Sequence, residues 1–550
     1  MNPLAFTKCA GRLLMALAAM TSILLIASCG SGGSPARPNN SGFGDSDLKG
    51  TYVLSVSGTD VNASAETESF FAIVGAITAD GNGNITGGTV DINDLNLASP
   101  GVFLGQTVSG SYSISSDGRG TGTLVTPQGK FGLDFVLTST GHGLITRFDP
   151  AGSGSGTLDV QGSATQTSLT SLAFSLSGVD YNVNSGSPLG TVGAFTLNTS
   201  TGGVTSGLQD FNDNGSSAES GSTGLNLATT SSLVLTSGTN GTAQLTTTST
   251  FGTLAFDVWV IDSTHLKFIE TDTATTGFVL SGDAFTQQTS FTAGQLVFTL
   301  GGLDSSGQPL GGGGYVTTDV NGNLSNGLED FNDAGTANTL TGFKGSCTTF
   351  TAGRCQLAMT GFTNLGLAAY PSSGGVLLLE DDSNLLAISQ GAAYAQTATS
   401  FAASEGYGLN LSGENTTGVV DVIAQFNAGS PGTTSTTTAN VTGILDENDL
   451  TTPTSDIALN GIYVPDPTPD GRGSIAAPPP GGSLGTLIGA LTLQYYVVDG
   501  STILLLEVDA DQVAVGTFQL QSAPGGGGSV KSRISMVRPA FRPHGALRRK

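Results

Sequence analysis

From residue 46 onward, apolar and polar residues alternate along much of the chain. The clearest runs are Tyr52, Leu54, Val56; Leu172, Phe174, Leu176; Leu296, Phe298, Leu300; and Tyr407, Leu409, Leu411. Each reaches a glycine two residues later (Gly58, Gly178, Gly302, Gly413) and then an acid (Asp60, Asp180, Asp304, Glu414). A period of two places alternate side chains on one face of a strand, so these runs predict β-strands with one face buried and the other in water. A longer alternating strand follows in the same phase, with Phe131, Leu133, Phe135 and Leu137, then Leu254, Phe256, Val258 and Val260, and later Leu491, Leu493, Tyr495 and Val497. Helical periodicity is missing after residue 30.

The same order of features occurs four times. Its sharpest marker is an acidic motif: Asp91-Ile92-Asn93-Asp94, Asp210-Phe211-Asn212-Asp213, Asp330-Phe331-Asn332-Asp333 and Asp446-Glu447-Asn448-Asp449. The first residues of successive motifs are 119, 120 and 116 positions apart, which marks one folding unit copied four times. Hairpin turns such as Asp80-Gly81-Asn82-Gly83-Asn84, Asp117-Gly118-Arg119-Gly120 and Asp470-Gly471-Arg472-Gly473 separate the strands, with Asn240-Gly241 and Gly353-Arg354 at the matching places of units two and three. Further strands end in acids (Asp149; Glu270 and Asp272; Glu380 and Asp382; Glu507 and Asp509), and each unit closes near a glutamine, Gln161, Gln287, Gln396 or Gln521. About eight strands fit each unit of roughly 115 residues. The expected fold is all-β: four tandem antiparallel meanders, each closing into an eight-stranded barrel, with a β-sandwich as the alternative. The expected units are 46–162, 168–288, 290–397 and 401–523, followed by a basic disordered tail, 524–550. The strand order and the early Gly50-x-Tyr52 resemble lipocalin- and avidin-like barrels in architecture alone, which implies a barrel mouth and no ligand.

The N-terminus changes the picture from a plain repeat protein to an exported one. Lys8 and Arg12 precede an apolar run, Leu13 to Ile26, too short to span a membrane comfortably. Ile26-Ala27-Ser28-Cys29 resembles the lipobox of bacterial lipoproteins. That resemblance implies a signal peptide over 1–28, lipid on Cys29, and a flexible tether over 29–45. Acyl chains on one residue anchor a protein without spanning the bilayer. Gly30, where an Asp would signal retention in the inner membrane, leans toward the outer membrane or cell surface. Along its whole length the chain resembles the tandem-repeat, β-rich surface lipoproteins of soil bacteria, a likeness that brings no activity with it.

The net charge is −24, but the body is more acidic than that. Between residues 30 and 526 nine bases face all 42 acids, while seven bases crowd into the tail. Such a body repels nucleic acid and attracts cations or basic partners, and it equally serves as a soluble surface. Two cysteines, Cys347 and Cys355, remain in unit three, symmetric about Thr351, where the repeat places a turn; export permits a disulfide between them, with free thiols as the alternative.

Candidate chemistry is thin. Asp91, Asn93, Asp94, Asp210, Asn212, Asp213, Asp330, Asn332, Asp333, Asp446, Asn448 and Asp449 offer hard oxygens that suit Ca2+, and the same residue types cap turns. The loops Asp80-Asn82-Asn84 and Asp319-Asn321-Asn323 carry the same ambiguity. Gly481-Gly482-Ser483-Leu484-Gly485 has the spacing of a nucleophile elbow but follows Pro478-Pro479-Pro480, and the histidines are only His142, His265 and His544. Trp259 falls in a core-type strand. These features predict a non-enzymatic, lipid-anchored envelope protein without a cofactor. It would act as a repeat spacer or binding array for a glycan, a small hydrophobic ligand or a protein. A calcium-stabilised surface adhesin is the alternative, and an exported hydrolase using Ser483 is the second.

Overall fold

The apolar side chains of each alternating run point into a barrel, and there are four barrels. The structure is a computed structural model, and it describes residues 42–62, 67–97, 99–182, 186–213, 223–247, 251–347, 350–360, 366–382, 387–416, 418–430, 439–468, 470–476 and 491–522. Among these residues helix is confined to the turn Thr273–Thr276 and two short 3-10 turns.

In barrel 1 the opening strand Lys49–Asn62 pairs with Thr67–Asp80 on one side and Gly152–Val160 on the other. The meander thereby closes on itself, with Val102–Thr107 lying alongside Asn84–Asp94 as an extra strand. Barrel 2 runs from Ser171–Asp180 to Phe278–Thr286; its seam is sealed by main-chain bonds from Val204 to Ser231 (2.8 Å) and Leu233 to Gly202 (2.8 Å). Barrel 3, from Gly294–Leu303 to Ile388–Ala395, and barrel 4, from Glu405–Asn415 to Gln512–Leu520, are closed eight-stranded barrels. Closure of barrels 3 and 4 pairs each of their described strands on both sides, which leaves their edges protected from pairing with another chain.

Four separate cores follow. Tyr52, Leu54, Val56, Phe131, Leu133 and Phe135 fill barrel 1, and Leu172, Phe174, Leu176, Phe256 and Val258 fill barrel 2. Leu296, Phe298 and Leu300 lie in the core of barrel 3, and Tyr407, Leu409, Leu411 and Tyr495 in that of barrel 4. Closing so small a barrel forces the first and last strands close together. A Cβ on Gly156 would lie 1.7 Å from the Ser55 carbonyl oxygen, and one on Gly391 would lie 2.0 Å from that of Thr299, so these positions admit only glycine.

The expected wet faces are not wet. Val53, Ala173, Val297 and Asn410, on the outer faces of the four opening strands, are at most 1% exposed. They are covered by neighbouring barrels. Val53 packs with Trp259 and Ile269 of barrel 2, Ala173 with Tyr370 and Leu377 of barrel 3, and Val297 with Tyr496 and Leu506 of barrel 4. Asn410 donates to Thr146 Oγ1 of barrel 1 at 3.1 Å. The units therefore close into a ring, 1 to 2 to 3 to 4 to 1. Both ends of the described chain reach one turn of barrel 1: Phe43 bonds Ser116 (3.2 Å), Ser522 bonds Thr138 (2.7 Å), and Phe43 and Gln521 flank Gly118.

Candidate functional site

The acidic motifs end the strands Asn84–Asp94, Val204–Asp213, Asn323–Asp333 and Ala439–Asp449. Their asparagines point out of their own barrel and into the next. Asn93 Nδ2 donates to the Glu270 carbonyl (3.0 Å) and Thr273 Oγ1 (2.5 Å). Asn212 Nδ2 donates to the carbonyls of Glu380 (2.8 Å) and Ala387 (2.9 Å). Asn332 Nδ2 lies 3.0 Å from each of the carbonyls of Glu507, Asp509 and Gln512. Asn448 Nδ2 reaches those of Arg147 (3.1 Å), Asp149 (3.3 Å) and Gly152 (2.8 Å), closing the circle onto barrel 1. All four asparagines are at most 1% exposed. An amide suits the place because its N–H groups donate into a nest of carbonyls, where a carboxylate would be repelled.

The first aspartate of each motif meets a cation or donor of the next barrel. Asp210 accepts Arg354 Nε (2.7 Å), Arg354 Nη2 (2.9 Å) and the Tyr370 hydroxyl (2.5 Å). Asp330 accepts Arg472 Nε and Nη2 (2.7 Å each) and the Tyr496 hydroxyl (2.6 Å). Asp446 accepts Arg119 Nη1 on both oxygens (3.1 and 2.9 Å). Barrel 2 has Asn240 in place of the arginine, and Asp91 instead accepts Trp259 Nε1 at 3.0 Å. Register explains the exchange: Trp259 stands opposite Asn240 as Tyr496 stands opposite Arg472. Trp259 thus faces the joint between barrels, not the core its strand suggested.

The closing glutamines make the third repeated contact. Gln161 donates to the Thr239 carbonyl (3.3 Å) and Gln287 to that of Ala352 (3.2 Å). Gln396 reaches the carbonyls of Asp470 (2.9 Å) and Val497 (2.8 Å), and Gln521 those of Asp117 (2.8 Å) and Leu137 (2.9 Å). The sequence marked these arginines and glutamines as repeated positions without revealing what they touch.

The last motif acids have separate roles. Asp94 accepts the Asn96 amide (2.8 Å), Asp213 accepts the Ser187 hydroxyl (3.0 Å), and Asp333 and Asp449 are half-buried. Asp80 and Asp319 close their own turns, each accepting the amides two and four residues on (2.7 and 3.1 Å; 2.8 and 2.9 Å). These bonds hold both carboxyls below the usual range, the Asn84 and Asn323 side chains foremost. Among the described residues no group of three or more His, Cys, Asp or Glu side chains forms a metal cluster. Cys347 and Cys355 are disulfide-bonded, with Cα atoms 5.8 Å apart. The turn beside them is at Ala352 and Gly353 rather than Thr351, so the two cysteines are not cross-strand partners in its register. Cys29 and Ser483 lie outside the described residues.

Where the barrels meet, a cavity of about 70 Å³ is lined by serines and glycines from all four, including Ser55, Ser177 and Ser412. It has room for a few waters only. Beside it Asp283 bridges His265 (2.5 Å) and Lys267 (2.7 Å), and Asp159 meets His142 (2.6 Å). Burial opposes both carboxylates, yet Lys267 and His265 hold Asp283, and His142 holds Asp159, below the usual range.

No family model and no curated protein matches the chain. Among solved structures it is similar to a mutant of transferrin binding protein B from Haemophilus parasuis, at 9% identity over 71% of this chain and 86% of that one, with a TM-score of 0.20. It is also similar to isotype 1 of that protein from serogroup B Neisseria meningitidis, at 10% identity over 86% and 77%, with a TM-score of 0.19. Likeness at this level carries no argument about what the chain does.

Proposed function

We propose that this is a non-enzymatic binding protein of the cell envelope, anchored through lipid on Cys29 and exposed at the outer membrane or cell surface. Its four barrels act as one stiff platform rather than a flexible spacer. The observation that carries this is the repetition of the Asp, Asn and Gln contacts at all four joints, including the one that closes barrel 4 onto barrel 1. The cavities within barrels 3 and 4 of about 40 and 20 Å³ support the same reading, since cores so filled leave recognition to the rims and outer surface. The excess of acids favours a basic partner over nucleic acid.

The test is small-angle scattering on the full chain in detergent. The closing joint has the smallest apolar cluster, Val136, Leu144 and Ile423, so it should open first. Asn448→Leu deprives three carbonyls of their donor at about 1–3 kcal/mol each. It should enlarge the radius of gyration while circular dichroism keeps its β signature. Wild-type scattering that already fits four loosely linked barrels would sink the platform. A melting midpoint that falls in EDTA would favour the calcium-stabilised adhesin, and labelling of Ser483 by a fluorophosphonate would favour the hydrolase.

A further inference from the structure

One end of barrel 3 opens into a cavity of about 260 Å³, walled by Leu300, Leu310, Phe331 and Leu340. Glu329 and Glu380 line it, at 3% and 1% exposure. Glu329 Oε2 and both carboxylate oxygens of Glu380 are buried without a hydrogen-bond partner. The charges acting most on Glu329 are Asp330 and Glu380, and those on Glu380 are Asp382 and Asp381, all acidic. Asp304 and Asp333, which also line the cavity, form a second acidic pair. Burial raises both carboxyls, the Ser389 hydroxyl alone opposing it at Glu380, and a cation placed beside them would favour their charged forms.

Barrel 1 shows what that something is. The acceptor carbonyls of the joints align Arg147 with Glu380, since Asn448 and Asn212 cap these residues in the same way. The repeat aligns Asp60 with Asp304 and Asp94 with Asp333. In barrel 1 the guanidinium of Arg147 lies 3.6 Å from Asp60 and 3.2 Å from Asp149, and 4.6 and 5.2 Å over the rings of Phe71 and Phe131. Barrel 1 thus holds a cation of its own among acids and apolar rings. Barrel 3 keeps the acids, adds Glu329, and leaves the place of the cation as open volume.

We propose that the mouth of barrel 3 binds an aliphatic diamine or polyamine. One ammonium sits between Glu329 and Glu380, another meets Asp304 and Asp333, and the methylenes lie along Leu300 and Phe331. An organic cation fits better than a bare ion because these acids do not converge as a metal cluster and the wall between them is apolar. The site gives the binding-protein reading a ligand class and rests on it, but does not require the ring.

Titration calorimetry of the full chain in detergent with putrescine and spermidine tests the site, with butylamine and calcium chloride as comparisons. Saturable binding of one diamine per chain is expected, at least about ten-fold tighter than butylamine. Glu329→Gln with Glu380→Gln should weaken it by at least about ten-fold while melting close to wild type, because each amide replaces a carboxyl that burial already holds toward its neutral form. Asp304→Asn with Asp333→Asn should erase the advantage of the diamine over butylamine. No saturable heat into the millimolar range, equal binding by the glutamine variant, or binding of calcium in place of amines each overturns the site. Scattering on the same samples separates the two ideas. A ring that binds no amine ends this site alone, and loose barrels that bind one end the platform alone.

Discussion

At the residue scale, charge and amide are not interchangeable within the motifs. The buried first aspartate faces an arginine or indole, and the asparagine two residues on faces carbonyls. Other buried acids have their carboxyls raised and set the pH response. Asp134, 5% exposed in barrel 1, is pushed up to about 8, first by burial and then by Asp446 across the closing joint, with Arg119 opposing. Glu380 is raised to about 7 and Asp381 to about 6, burial leading in both. Between about pH 4 and 8 the folded chain therefore holds protons that the unfolded chain has released, so stability falls as pH rises across that window. Below it, Asp159 and Asp283 act the other way, and their contribution is lost as they protonate. The melting temperature should peak in mildly acidic buffer and decline toward pH 8. Asp134→Asn should flatten that decline, as a scanning calorimetry pH series would show. A midpoint that climbs steadily to pH 8 would contradict this.

At the scale of elements, the hairpin around Thr351 and Arg354 shows how a turn aims a side chain. Two main-chain bonds of 2.9 Å close it, with Ala352 and Gly353 at φ of 48° and 85°. This tight left-handed turn presents Arg354 to Asp210. Arg354→Leu should destabilise by about 3–5 kcal/mol in denaturant titration, because Asp210 stays buried without its counter-ion, and adding Asp210→Asn should recover part of the loss. The inner faces of such strands were legible, since alternation of Leu, Phe and Val has one stable solution in a closed sheet. The outer faces were not, because Ser, Thr, Gly and Ala suit water and a packed joint equally well. The partners of the arginines were hidden for a different reason: they lie 142 to 327 residues away, beyond any local pattern. Of the acids in the mouth of barrel 3, Asp304, Asp333 and Glu380 stood at repeated positions, while Glu329 has no acidic counterpart, the other units carrying Val90, Gln209 and Leu445 there. Their meaning needed the comparison with Arg147.

At the scale of the whole molecule, each joint is head-to-tail: a donor motif of one barrel enters an acceptor edge of the next. Such interfaces give open fibres unless the rotation closes, and here four copies close. The order of barrels in space then no longer depends on where the polypeptide starts. Because Phe43 and Gln521 meet at Gly118, residues 42 and 522 can be joined by a short linker and new termini cut between barrels 1 and 2, near Gly162. This circular permutant should melt within a few degrees of a parent spanning the same residues. The cut would leave the ring whole, since the joints and not the connecting peptides hold each barrel to its neighbours.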